Sequence, residues 1–361
     1  MNLKRVTIEI DSVCNLSCPM CFLGGFRREK IFLPENTDKF LSPDLFKKLI
    51  DEIATDYSFA QSSEPFFVMF SGGEPLLHPQ IFEFLSYAKE KGVGVTVFTN
   101  GTLIDSVRAA KLVEMMPAAL MFSLDGPQEI HDSIRGQGNF EKTCKAIDSI
   151  QLIKQVILRN NPKIFINTLM NNLNVNCLDE MISIAKSLNV YEISFSHIQW
   201  SDQYLVSLAG KEFKERLDYS SSLNRMVEAM GHDLKVEEKK TEKLINQINF
   251  IKKEHKNGQF PRFKFFPDLS PHEIDLWYSR KYGKINSCSS VNEWIRVDVN
   301  GDVQPVCAVI PFSFGNLKNQ SLREILNGEK VQKFFGEIND NGYFYACQRC
   351  CRRSSKSTTL L

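Results

Sequence analysis

Three absences narrow this 361-residue chain before any motif is considered. Its net charge is close to nil, 44 Lys and Arg against 43 Asp and Glu, so no global field draws it to nucleic acid or anionic lipid. No apolar run approaches the length of a secretory h-region or a membrane span, and Met1-Asn2-Leu3-Lys4 leads straight into a strand-like segment. The expected location is cytoplasmic, with neither membrane nor nucleic acid as partner. Low-complexity tracts are also missing, and no internal repeat occurs beyond a recurring βα pattern. The length suits one large domain and a smaller one. Cysteine, in contrast, is plentiful. Ten cysteines in a cytosolic chain do not suggest a disulfide framework, and eight of them lie near the two ends in ligand-like groups, so metal or cluster binding is the economical explanation.

The first group is Cys14-Asn15-Leu16-Ser17-Cys18-Pro19-Met20-Cys21, a CxxxCxxC that begins as the apolar stretch Val6-Thr7-Ile8-Glu9-Ile10 ends. Three thiolates this close can hold three irons of a [4Fe–4S] cube and leave the fourth iron open for another ligand. A zinc knuckle and chance clustering are the alternatives; zinc sites usually use CxxC pairs closed by a fourth ligand, and no His lies in this loop.

Short β-branched runs at 5–10, 65–70, 93–99, 118–123, 163–168 and 191–195 alternate with stretches of helical apolar spacing at 44–54, 81–91, 104–115, 140–153 and 178–188. This is the signature of βαβ units and a parallel sheet, here an α/β chain with a partial (β/α)6 barrel over 1–198, whose chemistry belongs at the C-terminal rim of the strands. Residues 199–286 are richer in Lys and Glu and read as a connector of two long helices, ending in the strand-like, aromatic Phe260-Pro261-Arg262-Phe263-Lys264-Phe265-Phe266-Pro267. A smaller module at 287–351 opens with a hairpin whose turn signal is Asn300-Gly301, which favours a two-residue connection. Residues 352–361 form a basic, Ser/Thr-rich tail.

Ser71-Gly72-Gly73-Glu74-Pro75 stands at the end of the second strand, on the rim that carries the cysteines. Two glycines allow close approach to the backbone, and Glu74 offers an acceptor for an ammonium group. Together the cysteine motif and this turn resemble the radical S-adenosylmethionine (SAM) enzymes. The resemblance implies that the amino and carboxylate groups of SAM chelate the open iron. An electron then cleaves SAM to methionine and a 5′-deoxyadenosyl radical, which takes a hydrogen atom from substrate. It implies SAM-binding roles for Gly72, Gly73 and Glu74, ribose contacts for Ser123 and Asp125, and a SAM-carboxylate contact for Arg135. Asn100 and Asn167, at the ends of the third and fifth strands, are pocket candidates, though turn chemistry alone would explain Asn100-Gly101 and Asp125-Gly126. His197 and Gln199, beyond the sixth strand, are candidate catalytic residues; a packed or capping role is the commoner one for a lone His.

The later cysteines resemble the twitch module, the shortened form of the SPASM domain. The resemblance implies that Cys288, Cys307, Cys347 and Cys350 hold one auxiliary [4Fe–4S] cluster, and that a second is not expected. Zinc remains an alternative there. Cys351 makes the ending CxxCC and is either a substitute ligand or a free thiol donor. Cys144 and Cys177 read as buried small hydrophobes within helices. Relatives in this class include a cyclitol dehydrogenase, peptide-crosslinking enzymes and sulfatase-maturing enzymes. Pyranopterin-forming relatives end in Gly-Gly, unlike Thr359-Leu360-Leu361. Only thirteen residues precede Cys14, with no fused leader-binding domain, which favours oxidation of a small hydroxylated metabolite over a peptide. The auxiliary cluster would accept an electron, and a flavodoxin- or ferredoxin-type donor would supply the first one. A non-catalytic metal-binding scaffold is the rival from another class.

Overall fold

The computed structural model describes residues 1, 3–21, 38–56, 67–200, 202–219, 234–255, 261–279, 288, 290–307, 310 and 312–350. Six parallel strands appear where β-branched runs were expected: β1 (Arg5–Asp11), β2 (Phe67–Gly72), β3 (Gly94–Thr99), β4 (Ala119–Ser123), β5 (Lys163–Met170) and β6 (Glu192–His197). They pair in sequence order, each with the next, as βα crossovers of one hand require.

The sheet does not stop at six. The aromatic segment after the connector returns as β7 (Arg262–Phe266), parallel to β6. At the other edge β8 (Trp294–Val297) runs parallel to β1, followed by antiparallel β9 (Asp302–Pro305) and β10 (Gly315–Asn316). The C-terminal hairpin thus shares hydrogen bonds with the strand that delivers Cys14. Its connection departs from the two-residue turn that Asn-Gly suggests. Asp298 pairs with Asp302 across the ladder, leaving Val299, Asn300 and Gly301 as the loop. The Asp298 carboxylate accepts from the N–H groups of Asn300 and Asp302, each at 2.9 Å, and Gly301 alone takes positive φ, +85°. That is the three-residue class, in which a side chain outbids the dipeptide preference.

Strand alternation divides the sheet into two unlike faces. Val6, Ile8, Ile10, Val68, Phe70, Val97, Leu120, Phe122, Ile166, Ile193, Phe195, Ile295 and Val297 are fully buried against the helices. The helix Pro43–Thr55 shows how this layer closes: Ser42 caps it by accepting from Leu45 N–H, and Phe46 stacks on Phe84 with ring centroids 3.9 Å apart. Each such side chain contributes roughly 2 kcal/mol of transfer free energy. The opposite row runs through Gln304, Arg296, Thr7, Glu9, Ser71, Ser123, Asn167, Ser194 and Lys264, by the strand registers. Met69, Phe98, Met121, Phe165 and Leu169 share this face with the polar positions, so the sheet is apolar towards its helices and mixed on its other side.

In the connector, the described helices are Gln203–Leu217, Thr241–Glu254 and a shorter one, Pro271–Tyr278, with a full Ser270/Glu273 capping box.

Candidate functional site

β1 ends at Asp11, and three residues later the chain sets down Cys14. Cys14 and Cys21 are half-buried and Cys18 is buried, with Cys21 N–H donating to the Cys18 carbonyl at 3.1 Å. The glycine turn crosses this loop at contact distance. A Cβ on Gly72 would lie 2.1 Å from the Asp11 carbonyl oxygen, and one on Gly73 would lie 1.8 Å from that of Val13. Gly73 N–H donates to Asp11 Oδ1 at 2.6 Å and Glu74 N–H to the Val13 carbonyl at 2.8 Å. The close approach that the glycines permit is therefore first of all to the chain's own residues 11–13, which locks the turn against the cysteine loop.

Glu74 also differs from expectation. It is 1 % exposed, and its carboxylate faces inward: Oε1 accepts from Thr99 Oγ1 at 2.7 Å and from Leu76 N–H, and Oε2 accepts from Asn100 N–H at 2.7 Å. Burial pushes its carboxyl above the usual range. The side chain fastens β3 to the turn instead of offering a free acceptor for an ammonium group.

Asn100, so held, reaches the cysteine loop. Its Nδ2 donates to Asn15 Oδ1 at 2.9 Å and lies 4.0 Å from Cys14 Sγ. On the other flank Arg135 Nη1 stands 3.9 Å from Cys18 Sγ while Arg135 Nε donates to Asp125 Oδ2 at 2.6 Å. The helix Gln128–Arg135 aims this guanidinium. Burial opposes its charge, but the Asp125 carboxylate and the Cys18 thiol override that and raise its pKa above the ordinary value. Asp125 is fully buried, and its Oδ1 accepts from Leu169 N–H at 2.8 Å. With both oxygens engaged and no exposed surface it positions Arg135; the ribose contact suggested by the sequence does not fit.

The remaining candidates separate by strand parity. Ser123 and Asn167 face each other across β4 and β5 on the polar face, and Ser196 Oγ donates to Asn167 Oδ1 at 2.9 Å. His197 belongs to the apolar row. It is 1 % exposed, its Nδ1 is 2.9 Å from Tyr278 OH, and its ring packs by Trp277. The structure thus places it in a packing position, the commoner role for a lone His. Gln199 is half-buried past the strand end. Cys351 lies outside the described residues. Cys144 packs on the core from within the helix Asn139–Val156, whereas Cys177 precedes the helix Leu178–Ser187 and is not in its body.

Sequence reasoning missed the polar row itself. Arg296 on β8 donates to Glu9 Oε1 at 3.1 Å and to Gln304, Trp294 Nε1 donates to Thr7 Oγ1 at 2.8 Å, and Lys264 lies 3.3 Å from the buried Glu192. The signal was present as period-two polar positions in otherwise apolar strands.

The late cysteines sit in one neighbourhood. Cys307, Cys347 and Cys350 are buried, Cys288 N–H donates to Tyr343 OH at 2.9 Å, and the thiols of Cys288, Cys347 and Cys307 all act to raise the Tyr343 phenol, after burial. Burial likewise pushes Cys347 well above the usual thiol range. Among the described residues no three His, Cys, Asp or Glu side chains come close enough to share one metal ion. A cube does not ask them to, since each cysteine takes a different iron. At the first site the donor set fits a cluster: N–H groups of Asn100 and Arg135 turn towards two sulfurs, where they stabilise thiolate charge.

One buried acid here carries a pH prediction. Asp11 Oδ2 has no hydrogen-bond partner among the described residues, and burial, followed by the nearby Glu74 and Glu9, pushes its pKa up to about 8. The folded chain therefore keeps a proton that unfolded Asp releases near 3.8. The stabilising contribution is complete below that value and is lost as pH rises through about 8. Asp11→Asn is expected to flatten the fall in thermal midpoint across that window; parallel slopes for both proteins would refute the assignment.

Residues 8–183 match the radical SAM superfamily, and residues 288–351 match an iron–sulfur cluster-binding domain, SPASM. The chain is 31% identical over 189 residues to Fe-coproporphyrin III synthase of Methanosarcina barkeri, covering 52% of this chain and 42% of that protein. It is 31% identical over 146 residues to mycofactocin maturase MftC of Mycolicibacterium smegmatis, covering 40% and 33%. It thus spans less than half the length of these two relatives. SuiB of Streptococcus suis bound to the precursor peptide SuiA superposes with a TM-score of 0.62 at 14% identity, over 97% of this chain and 70% of that one, which is a likeness of fold. No helix among the described residues is long and apolar enough to cross a membrane. A SAM-binding [4Fe–4S] cluster and an auxiliary iron–sulfur cluster are its cofactors, and the chain belongs to the radical SAM superfamily, with a SPASM domain at its C-terminal end.

Proposed function

We propose that this enzyme cleaves SAM reductively and uses the resulting radical to oxidise a residue within a peptide. The observation that carries the chemistry is the pair of N–H groups, from Asn100 and Arg135, directed at Cys14 and Cys18 beside a turn locked to the same loop. When bound, the first cluster supplies the electron that breaks the sulfonium bond and the auxiliary cluster supplies an acceptor for the electron the substrate loses. Cys14, Cys18 and Cys21 would hold the first, and Cys288, Cys307, Cys347 and Cys350 the second. Gly72, Gly73 and Glu74 would shape the wall of the SAM site next to the cysteine loop, Arg135 would offer a cation to a SAM carboxylate, and Ser123 and Asn167 lie side by side on adjacent strands.

The peptide preference is supported by relatives: MftC is a maturase, and SuiB was captured with a precursor peptide. The small hydroxylated metabolite rests only on the length of chain before Cys14, and the metal-scaffold alternative does not suit a chain of this superfamily. A flavodoxin- or ferredoxin-type protein is the proposed electron donor. The test is anaerobic reconstitution with iron and sulfide, reduction by dithionite, and chromatography for 5′-deoxyadenosine and methionine. Formation of both is expected; zinc at stoichiometry with no 5′-deoxyadenosine would sink the proposal.

A further inference from the structure

We propose that Arg296 is a substrate-anchoring residue that takes a carboxylate of the substrate through the side-on edge of its guanidinium. Arg296 is 9 % exposed and stands on β8 opposite Thr7, in the polar row that faces away from the helices. Its neighbours on either side along β8, Ile295 and Val297, are fully buried in the apolar layer, so strand parity alone turns Arg296 to the interior. The strand joins the cluster-bearing C-terminal module to β1, which places the cation between the elements that carry the two cysteine groups.

The hydrogen bonding of the guanidinium is incomplete in a specific way. Nη1 donates to Glu9 Oε1 at 3.1 Å and Nη2 to Gln304 Oε1. Nε is buried and has no acceptor among the described residues. Nε and Nη2 point the same way and form the fork that matches two carboxylate oxygens. Among the described residues that fork holds one neutral amide oxygen, from Gln304, and one unmet N–H. A permanently charged group left with an unmet buried donor is costly, and such a defect is kept where a ligand repairs it. A carboxylate that displaced Gln304 would satisfy both positions at once. Glu9 holds the far edge of the guanidinium and cancels its net charge, so recognition depends on fork geometry and is little affected by salt.

This inference rests on the proposed function only in naming the ligand as substrate. Isothermal titration of the reconstituted holoenzyme with SAM present tests it using three probes. N-acetylglycine presents a chain-terminal carboxylate, N-acetylglutamic acid α-amide a side-chain carboxylate, and N-acetylglycinamide neither. Saturable binding of at least one acid and none of the amide is expected, and whichever acid binds identifies the source of the carboxylate. Arg296→Gln and Arg296→Lys are each expected to weaken it about tenfold, because Lys keeps the charge that Glu9 needs but lacks the fork. Should the Gln variant fail to fold, the Lys variant carries the test. Equal binding of acid and amide, no saturable binding by the wild type, or undiminished affinity in the Lys variant would overturn the inference. SAM cleavage by the wild type, measured alongside, separates the two claims: its absence defeats the proposed function and leaves the binding result standing.

Discussion

Replacing Cys14, Cys18 and Cys21 together with Ala is expected to abolish 5′-deoxyadenosine formation and to halve the iron and sulfide content, from about eight to about four of each per chain. The other side chains between Cys14 and Cys21, those of Asn15, Leu16, Ser17, Pro19 and Met20, offer no thiolate to take over. The fold should survive, because these cysteines sit beyond the end of β1 and the apolar layer continues without them. Removing Cys288 and Cys307 predicts the opposite division of effects. Some uncoupled SAM cleavage should persist, while product formation stops for want of an electron acceptor. The structural cost should be larger there, since Cys307 packs within the core that includes Phe312, Phe334 and Phe344 and Cys288 packs against it. The thermal midpoint should therefore drop more in the second variant than in the first. Full turnover without Cys288 and Cys307 would remove the auxiliary cluster from the mechanism.

These two outcomes draw on what local pattern could reveal. CxxxCxxC after a β-branched run, and Gly-Gly-Glu-Pro after the next, are each written within a few consecutive residues, and both fall at strand ends on one rim. The partners of those motifs are written far apart. Asp125 looks like a turn residue until Leu169 and Arg135 are seen to claim its two oxygens from another strand and a helix. His197 looks like a rim residue until parity places it with Ile193 and Phe195. The same parity rule, applied to β1 and β8 side by side, would have picked out Glu9 and Arg296. It was out of reach because nothing local says that residues 294–297 pair with residues 5–8, 287 residues apart along the chain in the Arg296–Glu9 bond. Long-range parallel pairing is set by the whole sheet, and composition carries no trace of it.

The second large effect is expected at Asp125. Asp125→Ala should destabilise the protein by about 3–5 kcal/mol, the usual cost of breaking a buried ion pair by removing one partner. The conditions for that cost are met: the side chains are 0% and 13% exposed, the Nε–Oδ2 distance is 2.6 Å, and the Leu169 N–H loses its acceptor as well. Arg135 would be left as an unpaired buried cation beside Cys18. Replacing both, as Asp125→Ala with Arg135→Leu, should recover much of the loss, because an apolar pair of comparable volume needs no compensation of charge. Arg135→Leu alone leaves Asp125 with only the Leu169 N–H and should fall between the two. The readout that distinguishes a role at the cluster from simple stability is the reduction potential of the first cluster, followed by electron paramagnetic resonance. A cation 3.9 Å from Cys18 Sγ favours the reduced, more negative cluster. The double variant should therefore regain stability while its potential stays below that of the wild type. If the potential recovers along with the stability, the guanidinium does not tune the cluster; if the two single losses simply add, Asp125 and Arg135 act independently.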